Sequence, residues 1–472
     1  MNRRIELGIG LAGLILILVL SGCVGQVGGT PAASETQGSV TPGGPGAFQP
    51  TGQVPSESTT SSAVNVARQG VVTDLQGNVH VLGETQNNSG STAEGVVLKV
   101  IAVGEDGVSL LRAESGETIG EARFAPLTPR IADGQNAPFD YMLPPGSLTP
   151  SVFDITVESF QDSSAQLLPM QAENTQLMIG AQGEAVLVGE LVNPNPTSAS
   201  IQALAGVLAD KNGAMLSASG ESVGVGVLLP AGDTRLLDRA PFKIRFTSDL
   251  LSDALWQLFV DAEPVSKVDE TQFAIDQAAI YYEDSQGNGH LVSSIKNPGE
   301  QSFSVQILAG LYGDTGVVMD VSALSLPIDL QPGQEIPFDA HGFPLIDGHG
   351  DLQAKLANYT LQVDPSRTLV SNQVWQELKA EGATQSQSDG GVWTFSGSVT
   401  NNLGANLARI VVIGTLNDHL TGKVVAVSTA VLSNPAGVIE PTMRMDYAFD
   451  VLADPNETAQ LDPAVSVYAL ID

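Results

Sequence analysis

The feature that most constrains this chain is a tandem repeat of about 104 residues. An Asn that stands four positions after a Gly or Ser recurs four times, with separations of 106, 104 and 104 residues. The four copies are Asn87, Asn193, Asn297 and Asn401. An Asp follows each Asn after 17 to 19 residues, at Asp106, Asp210, Asp314 and Asp418. A fixed period of this length is typical of an array of similar structural units.

We predict four domains, near residues 64–163, 172–263, 271–365 and 371–472. Each copy contains short β-branched or apolar runs bounded by Gly, Asn, Pro and Asp, and no long segment keeps a period of 3.6 residues. A total of 50 Gly and 27 Pro provides the turns that many short strands need. About seven strands in roughly 100 residues predict an immunoglobulin-like antiparallel β-sandwich. We interpret the most helix-like segment, residues 373–379, as a strand because the other copies have a first strand there.

The N-terminus resembles the signal of a bacterial lipoprotein. Arg3 and Arg4 precede 14 mostly apolar residues, and the sequence Leu-Ser-Gly-Cys ends at Cys23, the only cysteine of the chain. This pattern is similar to a lipobox. The resemblance implies that residues 1–22 are removed and that Cys23 carries the lipid. More than one acyl chain on Cys23 meets the requirement for stable membrane anchoring. A single cysteine also excludes an intrachain disulfide.

Residues 24–63 predict a disordered linker. Gly, Pro, Ser and Thr account for 25 of these 40 residues. The segment therefore has too few apolar residues for their burial to offset the conformational entropy of folding. A flexible coil of this length has a reach of roughly 35 Å. Residues 23–63 are therefore expected to tether the domains away from the membrane surface, on the extracytoplasmic face of the bacterial cell envelope.

The charge of the chain argues against nucleic acid as a partner. There are 52 acidic and 20 basic residues, for a net charge of −32. A polyanion would be repelled, and the acidic residues are spread along the chain as in a solvated surface.

The domains resemble the FxLyD-type domain of bacterial surface lipoproteins. The matching pattern is a small residue four positions before Asn, an apolar strand, an Asp with a nearby Gly, and a later turn such as Leu229-Pro230-Ala231-Gly232. The signature strand is partly met by Leu311-Tyr312-Gly313-Asp314. The resemblance implies an antiparallel sandwich without catalytic residues.

The histidines offer few candidates for catalysis. His80 and His290 each stand seven positions before the repeat Asn, where other copies have Val186 and Thr394. We therefore predict that both are ordinary strand residues. Ser293 and Lys296 fit the S-x-x-K spacing of acylating enzymes, but strand alternation would separate them on opposite faces.

The densest polar cluster lies in an insertion of the third copy, residues 339–351. Imidazole and carboxylate are the usual non-thiolate ligands of zinc and related ions. The candidate metal ligands are His341, Asp347 and His349. A longer polar loop without metal is the alternative interpretation.

Two functional hypotheses follow. The first is a lipid-anchored cell-surface protein that binds or scaffolds a protein or a cell-envelope glycan, without catalysis and without a cofactor. The second is a metal-dependent envelope enzyme that uses the loop with His341 and His349.

Overall fold

The chain is an all-β protein, as the sequence predicts. The computed structural model describes residues 63–180, 182–220, 222–224, 226–228, 239–249, 253–265, 273–285, 287–343, 356–364, 367–388, 391–457 and 460–472. Within these ranges the structure contains 31 β-strands and no α-helix. No helix in the described ranges is long and apolar enough to cross a membrane. The predicted signal, Cys23 and the linker lie outside the described residues.

The strands form four successive groups, here called repeats 1 to 4. Repeat 1 contains β1 (Val64–Thr73), β2 (Val79–Asn87), β3 (Thr92–Val103), β4 (Ala122–Phe124), β5 (Arg130–Ile131), β6 (Asn136–Met142) and β7 (Val152–Ser163). Repeat 2 contains β8 (Gln171–Ile179), β9 (Glu184–Val192), β10 (Ser198–Ala209), β11 (Met215–Ser219), β12 (Ser222–Val223), β13 (Val227–Leu228), β14 (Arg239–Asp249) and β15 (Leu255–Val265).

Repeat 3 contains β16 (Ala274–Ile275), β17 (Ile280–Glu283), β18 (Gly289–Lys296), β19 (Ser302–Ser304), β20 (Gln306–Gly313), β21 (Val318–Ser325), β22 (Glu335–Phe343), β23 (Leu356–Val363) and β24 (Leu369–Ser371). Repeat 4 contains β25 (Trp375–Leu378), β26 (Ala380–Gln387), β27 (Val392–Thr400), β28 (Leu407–Asp418), β29 (Val424–Leu432), β30 (Arg444–Leu452) and β31 (Leu461–Ile471). The segment predicted as a strand near residues 373–379 is β25, which pairs with β31.

Each repeat has two main antiparallel sheets. The first, called the Asn sheet, contains the strand that leads into the repeat Asn. The four Asn sheets are formed by β1, β2 and β6; by β8, β9, β12 and β14; by β16, β17, β18 and β22; and by β26, β27 and β30. The second, called the hairpin sheet, contains the strand that leads to the repeat Asp. The hairpin sheets are formed by β3, β4, β5 and β7; by β10, β11, β13 and β15; by β20, β21 and β23; and by β25, β28, β29 and β31.

The repeat Asn is a buried hydrogen-bonding centre in all four copies. Its side chain is fully buried each time. The amide nitrogen donates to the carbonyl four residues later and to a second carbonyl on a distant segment, and the amide oxygen accepts a backbone N–H two residues later. The distant carbonyls belong to Ile131, Leu228, Leu330 and Ile439. Since a buried polar group is costly unless it is hydrogen-bonded, this residue fixes how each sandwich closes.

The Gly that follows each repeat Asp shapes a tight hairpin turn. Gly107, Gly213, Gly316 and Gly422 all have positive φ, between 68° and 83°. Only glycine adopts this conformation without steric cost. The turns join the first strand of each hairpin sheet to the segment that returns beside it, for example β10 to β11 and β28 to β29.

Consecutive repeats are stacked face to face. The Asn sheet of one repeat packs on the hairpin sheet of the next, through β2 and β6 on β11, β9 and β14 on β21, and β18 and β22 on β29. These three contacts are called the first, second and third junctions. Buried apolar clusters cross the second and third junctions: Phe242 of repeat 2 shares a cluster with Val321 of repeat 3, and Leu291 of repeat 3 shares one with Val427 of repeat 4. At the first junction, Leu127 of repeat 1 packs on a small cluster of repeat 2. The second and third junctions are therefore packed like domain cores.

Polar contacts also join the repeats. At the first junction the Arg130 guanidinium binds the fully buried Asp261 carboxylate, with Nη2 2.6 Å from Oδ1. At the second junction Lys243 Nζ lies 2.7 Å from Asp320 Oδ1. At the third, the Tyr282 hydroxyl donates to the Leu452 carbonyl at 2.7 Å. Hydrogen bonds with directional geometry thus fix the relative position of neighbouring sandwiches.

Candidate functional site

The predicted metal ligands are only partly within the described residues. His341 lies near the end of β22, and its side chain is 63% exposed. Its Nδ1 lies 3.1 Å from the Asp339 carbonyl oxygen and 3.9 Å from Asp339 Oδ2. Asp347 and His349 lie outside the described residues. In the part of the chain that the structure describes, no three His, Cys, Asp or Glu side chains are grouped to hold a metal ion.

The structure does not bring Ser293 and Lys296 together as a catalytic pair. Ser293 is buried, and its hydroxyl donates to the Asp276 carbonyl at 2.5 Å. Lys296 is exposed, as strand alternation predicts.

His80 forms a buried cluster with two carboxylates. Asp74 lies in the turn between β1 and β2, His80 is the second residue of β2, and Asp140 lies on the neighbouring β6. The imidazole Nδ1 is 2.9 Å from Asp140 Oδ1, and Nε2 is 3.2 Å from Asp74 Oδ2. The side chain of His80 is 5% exposed.

Repeat 3 contains the same arrangement. Asp284 lies in the turn between β17 and β18, and Asp339 lies on β22. His290 Nδ1 is 2.5 Å from Asp339 Oδ2, and Nε2 is 3.2 Å from Asp284 Oδ2. The ring of Tyr282 stacks on the imidazole with a centroid distance of 4.8 Å. Tyr282, which stacks on His290, is therefore also the residue that bonds to Leu452 across the third junction.

The carboxylates favour the charged form of both histidines. The hydrogen bond to Asp140 is the largest effect on His80 and raises its pKa above the ordinary value. Burial is the largest effect on His290 and lowers its pKa, but the hydrogen bonds and charges of Asp339 and Asp284 outweigh it, so the pKa is raised. An ionised carboxylate only accepts hydrogen bonds, so both imidazole nitrogens must donate. An imidazolium has no lone pair for base catalysis or metal binding.

Both histidines lie in strands, as predicted, but their carboxylate partners were missed. The Asp six positions before each His is a local signal, since the other copies have Gly180 before Val186 and Ser388 before Thr394. The second carboxylate was not accessible to sequence reasoning because it depends on the register of β2 with β6 and of β18 with β22.

Asp140 and Asp339 occupy one structural position, which we call the junction position. Each pairs with the residue five positions before the repeat Asn, and the residue at this place in repeat 2 is Lys243. Lys243 contacts Asp320 of the next repeat. Asp320 pairs with the residue three positions before the repeat Asp, and the residues with the same pairing in repeats 2 and 4 are Ala218 and Val427.

The charge at the junction position matches the residue at the corresponding place of the next repeat. Lys243 pairs with Asp320, whereas Asp140 and Asp339, whose equivalent places in the next repeats hold Ala218 and Val427, are paired with His80 and His290 of their own sheets. Burial of an unpaired charge is costly. Burial lowers the pKa of Lys243 and raises that of Asp320, and their mutual attraction only partly offsets this.

A cleft opens at the third junction. Its volume is about 390 Å³, and repeats 3 and 4 both line it. The polar lining includes Asp276, Ser294, Glu335 and Lys423, and Val292 and Pro337 contribute apolar surface. The Ser294 hydroxyl donates to Glu335 Oε1 at 2.7 Å.

Comparisons with known proteins leave the function open. No protein-family model and no curated protein matches the chain. A cryo-EM reconstruction of E. coli alpha-2-macroglobulin in its native conformation matches with 11% identity and a TM-score of 0.11. The match covers 86% of this chain and 26% of that chain. A TM-score this low carries no argument about fold or function.

Proposed function

We propose that the chain is a lipid-anchored protein of the bacterial cell envelope that binds or scaffolds an extracytoplasmic partner without catalysis. The observation that carries the proposal is the stack of sandwiches with packed junctions. Such a stack holds its exposed loops and sheet edges at fixed relative positions, as a scaffold requires. Separate domains joined by flexible linkers would not hold these loops and edges at fixed relative positions.

The chemistry of the two buried histidines supports a non-catalytic role. His80 and His290 have both ring nitrogens bound to carboxylates. Each joins a turn and a neighbouring strand of its own sheet. A general base instead needs a free nitrogen within hydrogen-bond reach of a substrate.

Membrane attachment is supported by the lipobox at Cys23 and the linker that follows it. The whole chain has a net charge of −32, so an anionic bilayer would repel it and a lipid anchor would have to supply the attachment. The proposed partner is a protein or a cell-envelope glycan.

The anchor is tested by a Cys23→Ala variant expressed in a bacterial host. We expect the wild-type chain in the membrane fraction and the variant unprocessed or released. An Ala33→Ser variant in the linker is the matched control and should fractionate like wild type. Unchanged processing and membrane association of Cys23→Ala, or insensitivity of the wild type to globomycin, would contradict the proposal.

The scaffold is tested by limited proteolysis of permeabilised cells. We expect cleavage in the linker and release of one resistant fragment that begins near residue 63. Rapid cleavage between the repeats would show that they behave as independent units.

Metal binding at His341 is the second candidate. One observation favours it: Asp339 Oδ1 is buried without a hydrogen-bond partner, beside the exposed His341. Metal analysis of the purified chain tests it, with His341→Ala and His349→Ala as variants and His419→Ala as control. Substoichiometric metal that the first two variants leave unchanged would remove this candidate.

A further inference from the structure

The first junction contains an arginine that bridges two repeats. Arg68 lies on β1, opposite Glu84 on β2. Its Nη2 lies 2.5 Å from Glu84 Oε1, and its Nη1 donates to the Gly213 carbonyl of repeat 2 at 3.0 Å. Asn136 completes the site by donating to Glu84 Oε2 at 2.8 Å. A guanidinium thus links a buried carboxylate to the hairpin turn of the next repeat.

The second junction has a related arrangement of an arginine and a buried carboxylate. Glu190 has the same place as Glu84, three positions before the repeat Asn. The Arg239 guanidinium lies 3.2 Å from Glu190 Oε2, and the Tyr312 hydroxyl of repeat 3 donates to Glu190 Oε1 at 3.1 Å. The carboxylate is again paired with an arginine of its own repeat and with a group of the next.

The third junction has the opposite charge pattern. Ser294 takes the place of Glu84 and Glu190. Asp276, whose N–H donates to the Ser294 carbonyl, stands where Arg68 stands. Glu335 pairs with the residue just before the repeat Asn, as Arg239 does in repeat 2. Carboxylates therefore occupy both positions that carry a guanidinium at the other junctions.

The cleft of about 390 Å³ lies at this place. Gly422, the counterpart of Gly213 in the hairpin turn, lines it together with Asp276, Ser294 and Glu335. The short side chain of Ser294 and the absence of a guanidinium from the lining leave the volume open. Among the described residues that line the cleft, Lys423 is the one cation, so the two carboxylates and one ammonium carry a formal net charge of −1.

We propose that this cleft binds a guanidinium group supplied from outside the chain. The bound group takes the place that Arg68 has at the first junction, between carboxylates of repeat 3 and the hairpin turn of repeat 4. Its planar fork of donors suits a carboxylate and a carbonyl that lie on different segments. One guanidinium brings the formal charge of the lining to zero. The apolar surface of Val292 and Pro337 is available to the methylene groups of an arginine side chain.

The proposal is tested with the full-length chain in detergent and a blocked Gly-Arg-Gly peptide, by calorimetry at low ionic strength. The matched probe contains citrulline, which has nearly the same shape without the charge. We expect the citrulline peptide to bind roughly tenfold more weakly, since the charged contacts are partly exposed. Arginine amide, tested alongside, distinguishes a small-molecule source of the group from a protein source.

Variants locate the site. Asp276→Asn combined with Glu335→Gln should weaken binding of the arginine peptide roughly tenfold. Glu105→Gln combined with Glu114→Gln changes the net charge equally at exposed places in repeat 1 and should leave binding unchanged. Asp276→Arg combined with Ser294→Glu rebuilds the pair of the first junction and should abolish binding. Lys423→Met should tighten it.

The proposal is overturned if the citrulline peptide binds as tightly as the arginine peptide. Equal losses in the cleft variant and the repeat 1 control would show general attraction to an acidic protein and would also overturn it. So would wild-type binding by Asp276→Arg/Ser294→Glu. None of these outcomes depends on Cys23 or on membrane attachment.

Discussion

At the scale of single residues, the repeat Asn holds the two ends of a long chain segment together and so closes each sandwich. Turn residues commonly cap their own loop, but these four side chains also bind a carbonyl 33 to 44 residues away. The sequence predicts a strand end at each repeat Asn from the Asn or Pro that follows it, at Asn88, Pro194, Pro298 and Asn402. It did not predict burial, since the second carbonyl comes from a distant segment whose approach depends on the whole sandwich.

Replacing one repeat Asn should therefore cost more than losing a turn residue. Asn401→Ala removes the side-chain donor to the Ala405 and Ile439 carbonyls and the acceptor of the Leu403 N–H, and of these groups only the Ile439 carbonyl keeps a second partner, the Leu407 N–H. We expect repeat 4 to lose roughly 2–4 kcal/mol of unfolding free energy, because each unsatisfied buried group costs about 1–3 kcal/mol. Hydrogen exchange of the repeat 4 amides measures it. The exposed neighbour variant Asn402→Ala should change stability by no more than about 0.5 kcal/mol.

The two buried histidines predict a pH dependence. A histidine with a raised folded pKa stabilises the fold fully below its unfolded pKa of about 6.5, and this contribution is lost as the pH rises through the folded pKa. Burial raises the pKa of Asp74, but hydrogen bonds from Asn78 and His80 outweigh it and the pKa is lowered from 3.8. The contribution of Asp74 is therefore lost as the pH falls below about 4.

The expected result is a stability maximum for repeat 1 between about pH 4 and 6.5, and a contribution of His290 to repeat 3 that is complete below about pH 6.5 and lost above it. Melting temperatures should fall between pH 6 and 9 in the wild type, and His290→Gln should flatten this change. His419 is the control, since its side chain is 49% exposed beside Asp462. Nitrogen NMR should show both His290 ring nitrogens protonated at pH 6. A neutral tautomer at that pH would contradict the assignment.

At the scale of elements, the strands were more accessible to sequence reasoning than their partners. Apolar runs such as Val79–Leu82 identified strands because alternation and bounding turns are local signals. β25 was identified through the register of the repeat, despite its helix-like composition. Contacts between sheets were not predictable, because the residues that make them differ from copy to copy, as Asp140, Lys243 and Asp339 do.

The ion pair of the second junction shows how such a contact can be tested. Lys243 and Asp320 are 4% and 1% exposed, so removal of one partner leaves a buried charge. Lys243→Met alone or Asp320→Leu alone should destabilise the junction by about 3–5 kcal/mol, whereas the double variant should be close to neutral or more stable. Urea unfolding of the four proteins measures the coupling. Additive losses in the double variant would show that the charges act independently.

At the scale of the whole molecule, the period predicted four units but not how they meet. The landmarks that define the repeat, Asn and Asp, act inside each sandwich. The stacking depends on outward-facing residues of one Asn sheet and on the hairpin sheet of the next. A chain of similar units with packed neighbours is expected to unfold with strong coupling between them.

Arg130 offers a test of that coupling. Its guanidinium joins β5 to Asp261 and Glu263 on β15, and its side chain is 9% exposed. Arg130→Ala leaves the fully buried Asp261 without its cation, and we expect a loss of about 3–5 kcal/mol at the first junction. Calorimetry should then show repeat 1 melting separately from the rest. Arg123→Ala, an exposed ion pair within repeat 1, should leave the melting profile unchanged.

The junction position also limits how such a gene can be rearranged. An in-frame deletion of repeat 2, residues 171–265, would keep the turns, the buried Asn and the sandwich core of each remaining repeat. It would nevertheless place Asp140 of repeat 1 against Asp320 of repeat 3, so two carboxylates would face each other in a buried seam with only His80 beside them. The charges at the junction positions therefore constrain the order of the four copies. They restrain recombination between copies although the copies share one fold.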